Sequence, residues 1–574
     1  MKNAKKKDFF SGNGISFYLV ADRRLLCHAF LWGVPFAVSC VLGWRLVHEG
    51  TVFGPGGTAF AYAGSFFLFL LETVLLSLPA AALAALVLRG GQGMHELCER
   101  REDGKMWLFY SLVIFLCWMP VFLAYYPSVF AYDAEGQLYQ VIAKDYSTHH
   151  PLVHTLFLGA FFRLGGAAGS YQTGMAVHSV VQMLLMAAAF GRALSWLYEK
   201  RVPRGIRILL LVFYALFPAN SILALSTTKD VLFSALVLLY TLKSYRFVGD
   251  CSREPSGSGA DGRGVSGEGA VGTAVFVLLA VLMLLFRNNA VYAYAVSIPI
   301  VGVGVKKRKK YLCMSFIVLV LFGISAFMLK AATCAQNGSP REMLSVPLQQ
   351  MARVRVEAEE QIDPSLRQEL DKYIPAEWVF AAYDPHLADP VKNRAVIHDD
   401  PAGLIRAWMR LGLQFPTIYA DAFLDNSLGM WYLWDTSHAQ VYGIGTESGF
   451  GYLSTDNRTM PAGCEIVEKS LLPGLRAFME RIVSDNAYQK IPFVRLLFAP
   501  ALYWWLLWLD TVAVLYHGKK RQTLPAVFLI AYYLTLLLSP TVIVRYLYPL
   551  MVTVPVIFSY TLTGDSDRMQ ENTQ

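Results

Sequence analysis

The chain has 574 residues, of which 55% are hydrophobic, 14% aromatic and only 16% charged. Repeated apolar runs on that composition exclude an ordinary soluble enzyme and predict an all-α polytopic membrane protein. The net charge of +8 does not indicate nucleic-acid binding, because Lys and Arg gather in short connectors, as a positive-inside bias requires.

Lys2, Lys5, Lys6 and Lys7 open the chain without a cleavable signal pattern, so the first apolar run reads as an anchor. A span needs about 20 mostly apolar residues, which gives about twelve spans. They fall near 25–47, 59–88, 106–125, 172–196, 208–226, 230–246, 271–287, 290–305, 311–332, 496–517, 523–541 and 546–562. The basic connectors at the N-terminus, 89–105, 199–207, 243–263, 306–310 and 519–521 share one side if 152–163 is an interfacial helix and not a span. Segment 249–269, rich in Gly, Ser and charge, reads as a flexible cytoplasmic linker.

Four regions follow. Residues 1–105 hold a cytoplasmic tail and two spans, and 106–332 a membrane core with an outer loop at 126–171. Residues 333–490 are polar and mixed, and predict a mainly helical extracytoplasmic domain. Residues 491–574 hold the last spans and a short cytoplasmic tail. In the third region, Asp363-Pro364 is a helix start for 365–373, and the spacing over 402–421 suits an amphipathic helix on the membrane surface. Eight cysteines show no C-x-x-C and no metal spacing. Only Cys334 and Cys464 fall in the predicted outer segment, where an oxidising compartment permits a disulfide; sequence separation does not decide whether they meet.

Five polar clusters fall on the predicted outer face. The first is the loop at 126–151, with Tyr132, Asp133, Glu135, Gln137, His149 and His150. The others are Lys229-Asp230, Arg287-Asn288-Asn289, Gln349-Gln350 and Arg353 with Asp425-Asn426, and Arg545-Tyr546. Each alone has a plain structural reading: a hairpin tip needs polar residues, and an arginine snorkels to the interface. Adjacent histidines point in different directions, so His149-His150 is a weak metal site. Together the clusters suit one chemistry. A carboxylate removes a proton from an acceptor hydroxyl, while Lys and Arg hold a phosphate leaving group.

The pattern resembles the GT-C superfamily of integral-membrane glycosyltransferases. Tyr126-Pro127, Phe130, Tyr132-Asp133, Gln137 and His149-His150-Pro151 are similar to the signature of an uncharacterised bacterial multi-pass family assigned to it. The resemblance implies a GT-C-like bundle and inverting transfer of a sugar from a polyprenyl-phosphate donor. The acceptor would be a cell-envelope glycan, lipid or protein, at the extracytoplasmic face of a bacterial plasma membrane. It implies Asp133 as general base, with Glu135 beside it, and Lys229, Arg287 and Arg545 as phosphate ligands. The remaining cluster residues would bind substrate. Two departures stand out: the two extra N-terminal spans, and Asp-Ala-Glu where the mannosyltransferases have adjacent Asp and Glu. The sequence requires no cofactor. Some relatives use a divalent ion, and Asp133 or Glu135 offers the oxygen ligands that Mg2+ or Mn2+ takes. A transporter or flippase of a lipid-linked glycan is the alternative. A ligase or polymerase of surface glycans would share the donor chemistry.

Overall fold

The computed structural model describes residues 23–52, 59–90, 105–130, 132–252, 270–397, 400–434, 460–461, 463–467, 469–484 and 491–563. The N-terminal lysines and most of the predicted linker lie outside the described residues. Among the described residues the chain is helical, with only isolated β-bridges. Its first helices are α1 (Arg23–Glu49), α2 (Ala59–Gly90), α3 (Met106–Ala124), α4 (Tyr132–Ala143), α5 (Leu152–Ala167) and α6 (Tyr171–Glu199). They are followed by α7 (Arg204–Leu216), α8 (Pro218–Leu225), α9 (Lys229–Ser252), α10 (Ala270–Phe286), α11 (Ala290–Gly304) and α12 (Arg308–Thr333).

Among the described residues, seven helices are long and apolar enough to cross a membrane: α1, α2, α3, α6, α9, α12 and the final helix Val544–Thr563. Their composition follows their surroundings. The α12 window has hydropathy 2.6 and is only 11% buried, whereas α9 and the final helix have 1.4 and 1.3 and are each 72% buried. The most apolar helix therefore faces lipid, and the less apolar ones form the interior of the bundle. Helices α7 and α8 make an eighth span if taken together, bent by 48°. The bend falls at Pro218, which has no N–H to continue the helical ladder.

The other predicted spans are shorter than expected. Helices α10 and α11 have 17 and 15 residues, and Pro500–Tyr516 and Val527–Leu536 have 17 and 10. At 1.5 Å per residue these reach roughly 15–26 Å, less than the roughly 30 Å of a bilayer core. Among the described residues, seven helices, or eight with the bent pair, thus have the length and apolarity of a span, and the other four are short. The stretch 152–163, expected not to span, is helical and falls short of a span. Its residues belong to α5, which buries His154, Thr155, Leu158, Gly159 and Phe162 inside the bundle. Gly165 and Gly174 let α5 and α6 meet backbone to backbone.

Residues 335–434 form a helical cap. Ser345–Ala358 runs through its core and buries Leu348, Met351, Ala352 and Val354. Asp363 caps Pro364–Leu370 by accepting from the Ser365 N–H at 2.8 Å, as the sequence predicts. Pro416 divides the predicted 402–421 helix into Pro401–Gln414 and Pro416–Asn426. In the first of these, Leu404, Ala407 and Leu411 face the cap core, and Ile405, Met409 and Leu413 form an exposed apolar stripe. Several contacts fasten the cap, among them two sets near the cavity and the α1–α2 connection. The Ala388 N–H donates to Pro540 O at 2.8 Å and Asn426 to Ser539 O at 2.9 Å, on the loop before the final helix. Asp421 accepts from Thr51 at 2.7 Å and from the Val52 N–H at 3.0 Å, on the α1–α2 connection. Cys334 and Cys464 are both free thiols.

Candidate functional site

A cavity of about 510 Å3 lies between the bundle and the cap. Its bundle side is lined by Asp133, His149, His150, Lys229, Arg287, Asn288, Asn289, Arg545 and Tyr546. Four of the five predicted clusters, from sequence positions over 400 residues apart, thus meet in one place.

Local backbone pairing places them. Val129 and Ser226 form a parallel bridge, with the Val129 N–H donating to Leu225 O at 3.2 Å and Thr227 N–H to Val129 O at 3.1 Å. That bridge sets the first turn of α4, which carries Asp133, beside the first turn of α9, which carries Lys229. Lys229 Nζ lies 2.7 Å from Asp133 Oδ2, and Arg545 Nη1 lies 2.8 Å from the same oxygen. Asp230, the next residue of α9, is fully buried and pairs with Arg287, while Arg545 Nε lies 3.7 Å from its Oδ2. The Arg287 guanidinium also sits over Tyr546, 4.9 Å from the ring centre. Asn289 accepts from Arg287 Nε at 3.0 Å and donates to Thr535 Oγ1 at 3.0 Å. Asn288 donates to the Thr148 and His149 carbonyls at 3.2 and 3.3 Å, which fixes the histidine loop.

Three cations therefore face two carboxylates, an excess of one positive charge. Burial works against ionising Asp133, but Arg545 and Lys229 outweigh it and hold the carboxyl well below the usual range. Burial, reinforced by Lys229, lowers His150 to about 3. Near neutral pH Asp133 is an anion and His150 a neutral imidazole, 3.4 Å from Lys229 Nζ. A carboxylate held by two cations is a weak base; it regains basicity when an anion draws those cations away.

The other predicted residues play different parts. Glu135 does not line the cavity, because residues two apart on a helix point to different faces. Gln137 donates to Thr155 at 2.8 Å and pairs with His154 Nδ1 at 3.1 Å, joining α4 to α5. The Tyr132 side chain lies outside the described residues. The fourth cluster is internal to the cap and its fastenings, not part of the cavity lining. Gln349 donates to Asp384 O. Gln350 donates to Tyr419 O at 3.1 Å and accepts from Trp408 at 2.9 Å. Arg353 pairs with Asp425, meets Glu357 at 2.7 Å, and donates to Gly50 O at 2.7 Å. Among the described residues, no three His, Cys, Asp or Glu side chains are placed to share a metal ion. The expected ligand Asp133 already accepts from two cations on one oxygen, a poor fit to Mg2+ or Mn2+.

Sequence reasoning missed the opposite wall. Glu342, Asp389, Lys392 and Asn393 of the cap line the same cavity. They come from a polar stretch in which nothing separates them from ordinary surface residues. It also missed an apolar groove of about 120 Å3 at the cavity's side, lined by Leu152, Val153, Leu284, Leu285, Phe322 and Leu329 among others. The groove shares His150, Pro151 and Asn288 with the cavity.

The model of a family of unknown function, DUF6020, matches residues 143–574, most of the chain. The chain belongs to that family. His149, His150, Lys229, Arg287 and Arg545 lie inside the match, and Asp133 precedes it. No curated protein and no solved structure matches.

Proposed function

We propose that this protein is a membrane glycosyltransferase of GT-C type that takes a sugar from a polyprenyl-phosphate donor. The observation that carries the reading is the joining of a cation-lined polar cavity to an apolar groove facing α10 and α12. That pairing suits a ligand with a phosphate at one end and a hydrocarbon chain at the other. Lys229, Arg287 and Arg545 would hold the phosphate as it leaves. Asp133, released from Lys229 and Arg545 by that phosphate, would take the proton of the acceptor hydroxyl. Inversion at the sugar carbon would follow from attack opposite the leaving phosphate. The reading includes a bacterial plasma membrane, a bundle of about twelve spans with four of them short, and a cavity on the extracytoplasmic side. The acceptor would be a cell-envelope glycan, lipid or protein.

The test is sugar release from a panel of polyprenyl-phosphate sugars by the purified protein in nanodiscs. The Asp133→Asn variant should fold, bind the donor, and lose at least about a hundredfold in rate, the usual size of a general-base contribution. Normal turnover in that variant would remove Asp133 as base. A second reading draws on the break between α7 and α8, since broken helices also line transporter sites. Lipid-linked sugar crossing the bilayer intact, with no bond broken, would favour a flippase.

A further inference from the structure

The cavity's two walls differ in charge. The bundle side carries one excess positive charge, from Lys229, Arg287 and Arg545 against Asp133 and Asp230. The cap side carries Glu342 and Asp389 against Lys392. Lys392 Nζ lies 2.8 Å from Glu342 and 2.6 Å from Asp389, and its side chain is only 5% exposed. Both carboxylates remain open, at 42% and 40% exposure. The rim therefore presents an excess of one negative charge to whatever occupies the cavity. Its place is fixed by the Ala388-to-Pro540 hydrogen bond, one residue before Asp389.

We propose that Glu342 and Asp389 select the donor headgroup: they admit a lipid phosphodiester carrying a single negative charge and a neutral sugar, and reject a diphosphate-linked sugar. The inference rests on the reading of the cavity as a lipid-phosphate site. One phosphate satisfies the single excess positive charge on the bundle side. A second phosphate adds a charge that the bundle side does not match, and the cap wall repels it. One extra charge about 10 Å from a like charge, at an effective dielectric near 20, weakens binding roughly tenfold.

The experiment measures calorimetric binding of two probes to the full chain in nanodiscs, with empty nanodiscs as blank. The probes are farnesyl phosphoryl glucose and farnesyl diphosphoryl glucose. The wild type should bind the first about tenfold more tightly. Glu342→Gln and Asp389→Asn, made singly so that Lys392 keeps one carboxylate, should each narrow that gap through tighter diphosphate binding. Binding of the monophosphate probe should tighten by a smaller factor, because its single charge lies at the bundle side, farther from the rim. Raising the salt should narrow the wild-type gap as well, a readout that does not depend on the variants folding. Equal binding of both probes by the wild type, or a gap unchanged by both variants and by salt, would overturn the selector and leave the phosphate site standing. If neither probe binds above the blank, the lipid-phosphate reading itself fails, and the selector with it.

Discussion

Asp133 Oδ2 accepts from Lys229 and Arg545 together, so the pairing that keeps this carboxyl ionised also makes it a weak base. His150, lowered to about 3 by burial and by Lys229, has a different consequence. The unfolded chain takes up a proton at this position near pH 6.5, while the folded chain does so only near pH 3. Because the unfolded state then binds more protons, stability falls as the pH drops from about 6.5 toward 3. The melting temperature of His150→Gln should therefore fall less steeply over pH 6.5 to 4.5 than that of the wild type; parallel curves would remove His150 as the cause. The cavity cations were legible in the sequence because an ionised group beside an apolar run is costly and demands a reason. Glu342, Asp389 and Lys392 were not, since they lie in a stretch where charge is ordinary. Arg353 and Gln349 were misread for the converse reason: they are polar groups of the cap's own interior, satisfied there by Asp425 and Asp384 O.

At the scale of elements, α5 carries His154 and Thr155, which hold Gln137 of α4 one turn beyond Asp133. The position of α5 depends on its close approach to α6. A Cβ at Gly165 would lie 2.6 Å from Gly174 Cα and 2.7 Å from Gly174 N, both backbone atoms. Gly165→Ala should cost about 1–3 kcal/mol, as overpacking does. A lowered melting temperature should accompany reduced turnover of the proposed donor as Asp133 shifts; an unchanged melting temperature would show that the helices can part without cost. Long helices such as α6 and α12 were readable from composition, because length and apolarity together define a span. Short helices such as Val527–Leu536 were not, because a buried apolar run of that size fits a span fragment or a core helix equally well. The break at Pro218 was also missed, although proline marks it, because the apolar run continues across it.

For the whole molecule, the cap is what closes the cavity, and Arg353 ties it to the α1–α2 connection through Asp425 and Gly50. Removing one partner of a buried pair costs about 3–5 kcal/mol, because the other charge stays buried. Arg353→Met should therefore expose the cap to limited proteolysis, and Arg353→Met with Asp425→Leu should restore much of its resistance. Equal cleavage of wild type and single variant would deny the pair that role. The fourth polar cluster thus acts on the site at a distance, by holding the roof.

The apolar groove beside the cavity opens among α5, α10 and α12, and α12 is almost wholly turned to lipid. For the donor proposed above, arrival is then a two-dimensional encounter. Turnover would follow the donor's mole fraction in the bilayer and not its amount per volume of buffer. Adding inert phospholipid at fixed donor would slow the reaction, and concentrating the vesicles at fixed composition would leave the rate per protein unchanged.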